Sequence, residues 1–389
     1  MVFFIKLIKI IATYLNRVIP KGNIVIFSSF PSYTDNSYAL YKYIIDHRSD
    51  IKESYRIYWA EDTIERLPDT IPQKAVFKKR SLAGIWLFFR AKYIISTHGY
   101  LDIESGNGQI QINLWHGCGY KKIPSTHKHY TGDYTIATSD LYKRIQAEEL
   151  AIPIKNVWVT GLPRTDELFE NNDVLKEFGI EHDKYKKVII WLPTYRKAKG
   201  DNPKEASKSM YGMWEYTEEQ FNDLNRALSE SNCIMIIKPH PLDTVGAIKY
   251  ELSNICFIEA DDLLQKGVDL YQLLPETDVL LSDYSSVIID YLLLDKPVGL
   301  VCADLDEYSD QRGFVFDNIM DKFPGPRICD FESLISYIQN METYNNEYLE
   351  KRRNLNVMFN EYCDGDSSRR VCDKVFGKES SVSSYGNGL

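Results

Sequence analysis

Short apolar runs recur along this chain, most of them followed by a stretch with helical spacing, and the series starts twice. In the first series the spacing predicts strands over residues 22–30, 55–59, 91–96, 109–115, 134–138 and 157–161. Helices are predicted over 35–45, with Asp35 or Asn36 near the cap, and over 81–90. In the second series, strands are predicted over 188–192, 233–238, 255–258, 279–282 and 297–301, with helices over 217–231 and 270–274. Strands alternating with helices are the pattern of a parallel α/β sheet. A chain of 389 residues is too long for one compact core. Two α/β units are therefore expected, divided within the charged segment 167–187, with polar helices over 331–374 behind them.

Composition removes several classes. The hydrophobic fraction of 44% and charged fraction of 26% are those of a globular protein. A net charge of −9 argues against bulk nucleic-acid binding, though local cations can still hold an anionic substrate. The seven cysteines are scattered and form no CxxC pair or ligand cluster with histidine, so neither a disulfide framework nor a zinc site is expected. Asp304-Leu305-Asp306 has the look of a metal-binding DxD, but acidic residues in such a loop are usually just solvated. Residues 1–21 begin with an apolar run broken by Lys6 and Lys9, a poor membrane span but a fit for a helix lying on an anionic membrane or docked on the first unit. Residues 197–212 form a long basic loop, read as a lid or acceptor-binding loop, and 377–389 form a Ser/Gly-rich tail expected to be disordered.

Ligands of an open parallel sheet bind at the carboxyl ends of its strands, and the chemistry-bearing residues gather there. His116 ends the strand before it and is followed by Gly117 and the pair Lys121-Lys122. His240 follows Lys238 between two prolines. An imidazole near neutral pH takes a proton from a hydroxyl or, when protonated, steadies phosphate charge. Thr194 and Arg196 follow another strand, and Arg312 stands before Gly313; all are suited to phosphate. The stretch 278–290 turns from a strand through Ser285 and Ser286 into an apolar helix, a place where free backbone N–H groups meet an anion. Asp290, four residues after Ser286, is expected to face the same ligand. Arg164 and Asp166 read equally as an ion pair at the hinge or as substrate contacts. No Walker A loop, GxGxxG or GxSxG is present, which removes the usual support for kinase, dehydrogenase and hydrolase readings.

Taken in order, Trp115-His116-Gly117 with Lys121-Lys122, residues 161–166, Pro193 to Arg196, Lys238 to Pro241, Ser282 to Ser286 with Asp290, and Arg312-Gly313 resemble the CDP-glycerol glycerophosphotransferase family, which includes teichoic acid primases and polymerases and related capsule polymerases. Asp364-Gly365 and Arg369-Arg370 resemble its C-terminal helix motif. The family often has Thr-Pro-Leu where this chain has Cys118-Gly119-Tyr120, which bears on the acceptor.

The resemblance implies a GT-B fold, two Rossmann-like domains facing a central cleft. Residues 22–180 would hold the acceptor, residues 185–350 a CDP-linked polyol, and helices over 351–376 would cross back. It implies transfer of glycerol phosphate or ribitol phosphate from CDP-glycerol or CDP-ribitol to a hydroxyl of a teichoic-acid-like or capsule acceptor, with release of CMP. His116 and His240 would be catalytic. Thr194, Arg196, Lys238, Ser285, Ser286, Asp290 and Arg312 would bind the donor, and Gly117, Lys121 and Lys122 the acceptor. No protein-held metal or cofactor is expected. The partners would be the CDP-polyol, a lipid-linked or oligosaccharide acceptor and the cytoplasmic face of the membrane, which the protein would meet peripherally. A GT-B glycosyltransferase using a nucleotide sugar is the alternative. A non-catalytic binder of a cell-wall polymer is a third reading, which the intact phosphate-site residues speak against.

Overall fold

The computed structural model describes residues 2–62, 64, 67–123, 132–193, 217–239 and 252–378, with the side chains of 2–8, 311 and 312 not included. The chain divides into two compact units. One comprises residues 1–116, 125–166 and 364–389; the other comprises 117–124 and 167–363.

The first unit is built on seven parallel strands: β1 (Ile24–Ser28), β2 (Arg56–Glu61), β3 (Val76–Lys78), β4 (Tyr93–Ser96), β5 (Ile110–Asn113), β6 (Tyr134–Ala137) and β7 (Val157–Val159). Their order across the sheet is β3-β2-β1-β4-β5-β6-β7. β1 and β4 are buried along their whole length because helices cover both faces. On one face Val25, Phe27 and Ile95 pack with Leu40, Tyr41 and Ile44 of the helix Asp35–His47 and with Val371 and Val375 of the last helix, Ser367–Phe376. On the other, Ile24, Ile26 and Ile94 meet Phe88 and Phe89 of the helix Leu82–Arg90.

The second unit repeats the plan with β8 (Lys187–Leu192), β9 (Cys233–Ile237), β10 (Ile255–Phe257), β11 (Val279–Ser282), β12 (Val298–Val301) and β13 (Arg327–Ile328), in the order β10-β9-β8-β11-β12-β13 and again parallel throughout. The strand order reverses between β1 and β4 in one sheet and between β8 and β11 in the other. At such a reversal the connecting helices leave to opposite faces and open a crevice at the carboxyl ends of the strands.

Two sequence expectations change here. The helix Met341–Phe359 stays with the second unit, because Arg352 is buried against the Asp295 carbonyl and Leu355 and Phe359 are buried too; the chain returns to the first unit only at Asp364. The segment 117–124, directly after His116, also belongs to the second unit. Tyr120 is fully buried there among Phe316, Phe323 and Phe359, and Lys121 forms a bridge with Phe314.

Candidate functional site

Each unit places one cluster at its strand reversal. In the first, β5 runs out through Leu114 into Trp115, whose backbone takes the left-handed conformation at φ 53°. That conformation is costly for a bulky residue and persists only where surrounding bonds impose it. Two asparagines do so. The side chain of Asn113 accepts from the Trp115 N–H at 2.8 Å, and Asn36 Nδ2 donates to the carbonyls of Leu114 at 3.1 Å and Trp115 at 3.0 Å. Asn36 Oδ1 in turn accepts from the Arg164 N–H at 3.1 Å. The Arg164 guanidinium donates to the His116 carbonyl at 3.1 Å and to Asp35 at 2.9 Å. The backbone at His116 is thus held from three separate elements: the end of β5 through Asn113, the helix Asp35–His47 through Asn36, and the 3-10 turn Pro163–Phe169 through Arg164.

The His116 ring lies against Trp115, centroids 4.4 Å apart, and stacks on His98 at 4.3 Å with only 12° between planes. His98 follows β4, directly at the reversal. Its Nδ1 is 3.0 Å from the Thr97 hydroxyl, and exposed Phe30, after β1, meets its ring edge-on at 5.6 Å. Burial, and after it the neighbouring His98, hold the His116 pKa down to about 4 against the opposing effect of Asp35. His116 is therefore neutral at pH 7, and its buried Nδ1 meets no hydrogen-bond partner. A neutral imidazole at a sheet's carboxyl edge is in the form that can accept a proton. Sequence reasoning passed over His98, although a histidine directly after a strand is the same signal that singled out His116.

Arg164 and Asp166 do not pair with each other, which is one of the two readings of the sequence. Arg164 pairs with Asp35. Both Asp166 carboxylate oxygens accept from backbone N–H groups at the start of the last helix, Ser367 at 2.8 Å and Ser368 at 2.7 Å. Burial nevertheless pushes the Asp166 pKa up to about 6. Gly161, at φ 75°, lets the helix come this close, since a Cβ there would sit 2.4 Å from the Ser367 hydroxyl.

In the second unit β11 ends in Ser282, whose hydroxyl donates to the Leu192 carbonyl of β8 at 2.7 Å. Ser285 and Ser286 follow half-exposed, and Ser285 Oγ accepts from the Val287 N–H at 3.4 Å. The helix they open, Val287–Tyr291, is only five residues long, too short for a substantial macrodipole. Asp290 departs from expectation: it is 0% exposed and accepts from the Tyr271 hydroxyl at 2.5 Å, because that side of the short helix is packed against the helix Leu270–Leu273. It does not share the exposure of Ser286.

The segment 117–124 completes this cluster. Lys122 N–H donates to the Gly313 carbonyl at 3.2 Å, and Val315 N–H donates to the Tyr120 carbonyl at 2.8 Å. Gly119 passes so near the serine turn that a Cβ would lie 3.1 Å from Ser286 Cβ. Gly117, Lys121 and Lys122, expected with the acceptor, thus belong to the unit that carries Ser285 and Ser286, and Lys121 lies over the Tyr308 ring. Lys238 follows β9, and burial lowers its pKa, with Asp269 opposing. Thr194, Arg196, His240 and the loop 197–212 lie outside the described residues, as does the side chain of Arg312. Asp304 accepts from the Tyr284 hydroxyl at 3.0 Å, and among the described residues no three His, Cys, Asp or Glu side chains gather as metal ligands.

Known proteins resemble the chain over nearly its full length. Residues 11–377 match the model of the CDP-glycerol:poly(glycerophosphate) glycerophosphotransferase family. The teichoic acid glycerol-phosphate transferase of Staphylococcus aureus is 24% identical over 92% of this chain and 94% of its own length. The teichoic acid poly(ribitol-phosphate) polymerase of Bacillus spizizenii is 32% identical over 68% of this chain, which spans 42% of that longer protein. A structure of the wall teichoic acid polymerase TagF superposes with a TM-score of 0.77 at 20% identity, covering 96% of this chain and 95% of that one, and so shares its fold. The chain belongs to the CDP-glycerol:poly(glycerophosphate) glycerophosphotransferase family and is a transferase of polyol phosphate.

Proposed function

We propose that the protein transfers glycerol phosphate or ribitol phosphate from its CDP-linked form to a hydroxyl of a growing teichoic-acid-like or capsule polymer. The observation that carries this is the neutral, backbone-anchored His116 at the carboxyl edge of its sheet. In the reaction, the acceptor O–H gives its proton to His116 and the oxygen bonds to the β-phosphorus. The bond from that phosphorus to the bridging oxygen breaks, and CMP leaves with the electron pair. His116 then passes its proton to water. Phosphoryl transfer needs positioning and charge balance more than covalent help from the protein.

On this reading the two units face each other across a GT-B cleft, the first presenting the acceptor and the second the donor. Lys122 and the Ser285–Ser286 turn lie on the donor side with His240, Thr194, Arg196, Lys238 and Arg312, and Asp290 supports that turn from beneath. No protein-held metal is required. The acceptor is lipid-linked or an oligosaccharide, met at the cytoplasmic face of the membrane. Support for a membrane contact comes from the helix Val2–Val18. It is anchored through Asn16, which donates to the Glu104 carbonyl, while Ile10, Ile11, Tyr14, Leu15 and Val18 remain exposed. An apolar stripe of this kind suits a helix lying in a membrane surface. No described helix is long and apolar enough to cross a membrane.

The test is CMP release from CDP-glycerol and, separately, CDP-ribitol, with and without a lipid-linked or oligomeric acceptor. Acceptor-dependent CMP from one donor is expected and names the polyol. A folded protein that releases none from either, yet is stabilised by a UDP- or CMP-sugar, overturns the reading.

A further inference from the structure

His98 follows β4 at the first sheet's reversal, and the proposed reaction gives it no role. Its ring is exposed, whereas the His116 ring it covers is only partly so. Face-to-face contact at 4.3 Å and 12° is unusual for two groups that can both carry positive charge, because stacking them doubles the charge in one place. The contact is built. Thr97 Oγ1 lies 3.0 Å from His98 Nδ1 and also accepts from the Phe30 N–H at 3.3 Å, and the Phe30 ring closes the free edge of His98.

We propose that His98 is a positioning residue for His116: its imidazole fixes the plane of the His116 ring and restricts the pair to a single positive charge. The inference rests on the reading of His116 as the base. Such a cover has two effects. The ring that accepts the hydroxyl proton cannot rotate away from the acceptor. The imidazolium it becomes is short-lived, because an adjacent imidazole that also takes up protons disfavours it, so the base is reset by release to water. Among the described residues, the charged and titratable groups facing His116 are His98, Asp35 and Arg164, with the Thr97 backbone. Asp35 and Arg164 pair with one another at 2.9 Å, and His98 is the neighbour stacked on the ring itself.

The test follows the His116 ring by NMR in the full chain with carbon-13-labelled histidine, the signal being assigned among the seven histidines by its loss in His116→Gln. His98→Phe keeps a ring in the stack and removes its charge. His116 is then expected to titrate at least about half a unit higher than in the parent, the size of effect two charges this close exert even at the dielectric constant of water. His98→Lys places a fixed charge there and is expected to keep His116 low. Both variants alter an exposed side chain, so the fold is retained, which circular dichroism checks. If His98→Phe leaves the titration unmoved, or His98→Lys raises it as much as phenylalanine does, the proposal is overturned. The second readout is the pH profile of kcat/KM for CMP release. Its acid limb moves upward with the titration in His98→Phe, while His98→Ala lowers kcat because the ring is then held on the Trp115 side alone. A parent that releases no CMP sinks the transferase reading alone, since the titration still decides the role of His98.

Discussion

The two strand reversals solve the same problem with opposite means. Around His116 the chain uses polar side chains to hold backbone: Asn36, Asn113 and Arg164 direct their hydrogen bonds to carbonyls and N–H groups, and the corner beneath the ring is buried and tightly fixed. Around Ser286 it uses missing side chains. Gly119 comes close because it has no Cβ, and the serines keep their half-exposure. A group that must hold one proton at one angle is served by the first solution. A surface that must admit and release a charged ligand is served by the second, since half-exposed hydroxyls and N–H groups are only weakly committed to the protein itself.

The sharpest way to break the comparison is at the proposed proton acceptor. His116→Ala is expected to lower kcat for CMP release by roughly 100- to 10,000-fold, the range for loss of a general base. The rise in Tm that CDP-glycerol or CDP-ribitol produces should survive, because the donor is assigned to the other unit. Near-normal turnover in this variant would remove His116 from the chemistry. Next in size is the scaffold beneath it. Asn36→Ala leaves the carbonyls of Leu114 and Trp115 and the Arg164 N–H without their buried partner. Such groups cost about 1–3 kcal/mol each when unsatisfied, so denaturant unfolding should show a loss of about 2–4 kcal/mol. A loss under about 0.5 kcal/mol would mean that water replaces the asparagine readily and that the corner is less dry than its bonds imply.

At the glycine-built cluster the same kind of change should act on binding instead. In Gly119→Ala the new methyl meets Ser286 Cβ at 3.1 Å and Cα at 3.2 Å, and the serine turn must shift by a few tenths of an ångström. The expectation is a severalfold higher KM for the CDP-polyol with kcat close to the parent and a stability cost of about 1 kcal/mol. If kcat falls while KM holds, the turn takes part in the transition state and the division of labour drawn here is wrong.

The buried strands were legible because an apolar run bounded by turn residues has few other fates, and both reversals follow once those strands are ordered. Less visible were Val76–Lys78, a half-exposed edge strand without an apolar run, and the helix Asp140–Glu149, whose buried face is Tyr142 and Gln146. Among site residues, His116 was found by its place after a strand. Asp290 was misjudged because helical spacing sets which side of a helix a residue occupies but not what packs there; Tyr271 arrives from a separate element. Lys121 and Lys122 were assigned by adjacency to His116, yet a buried Tyr120 next to them commits that segment to the other unit. Adjacency along the chain is weak information wherever one large aromatic side chain can decide the partner.

Burial offers a last and smaller way to sharpen the picture, because in the first unit it acts on an acid and a base at once. Glu61 ends β2 at 1% exposure, accepts from the Ser32 hydroxyl at 2.8 Å, and is pushed up to about 7 chiefly by burial. Its folded value lies above the ordinary 4.5, so the stability it contributes is complete below pH 4.5 and is lost as pH rises through 7. His116 is the mirror case. Its folded value of about 4 lies below the ordinary 6.5, so its contribution is complete above 6.5 and is lost as pH falls through 4. Their combined contribution should therefore peak between about pH 5 and 6. Glu61→Gln, which stays neutral at every pH, should relieve the alkaline side only, making the protein more stable than the parent by about 1–2 kcal/mol at pH 8 and no more stable at pH 4. Urea unfolding at the two pH values measures this. A gain at pH 4 equal to that at pH 8 would place the benefit in packing, and burial would no longer account for the pull of this sheet edge on its ionisable groups.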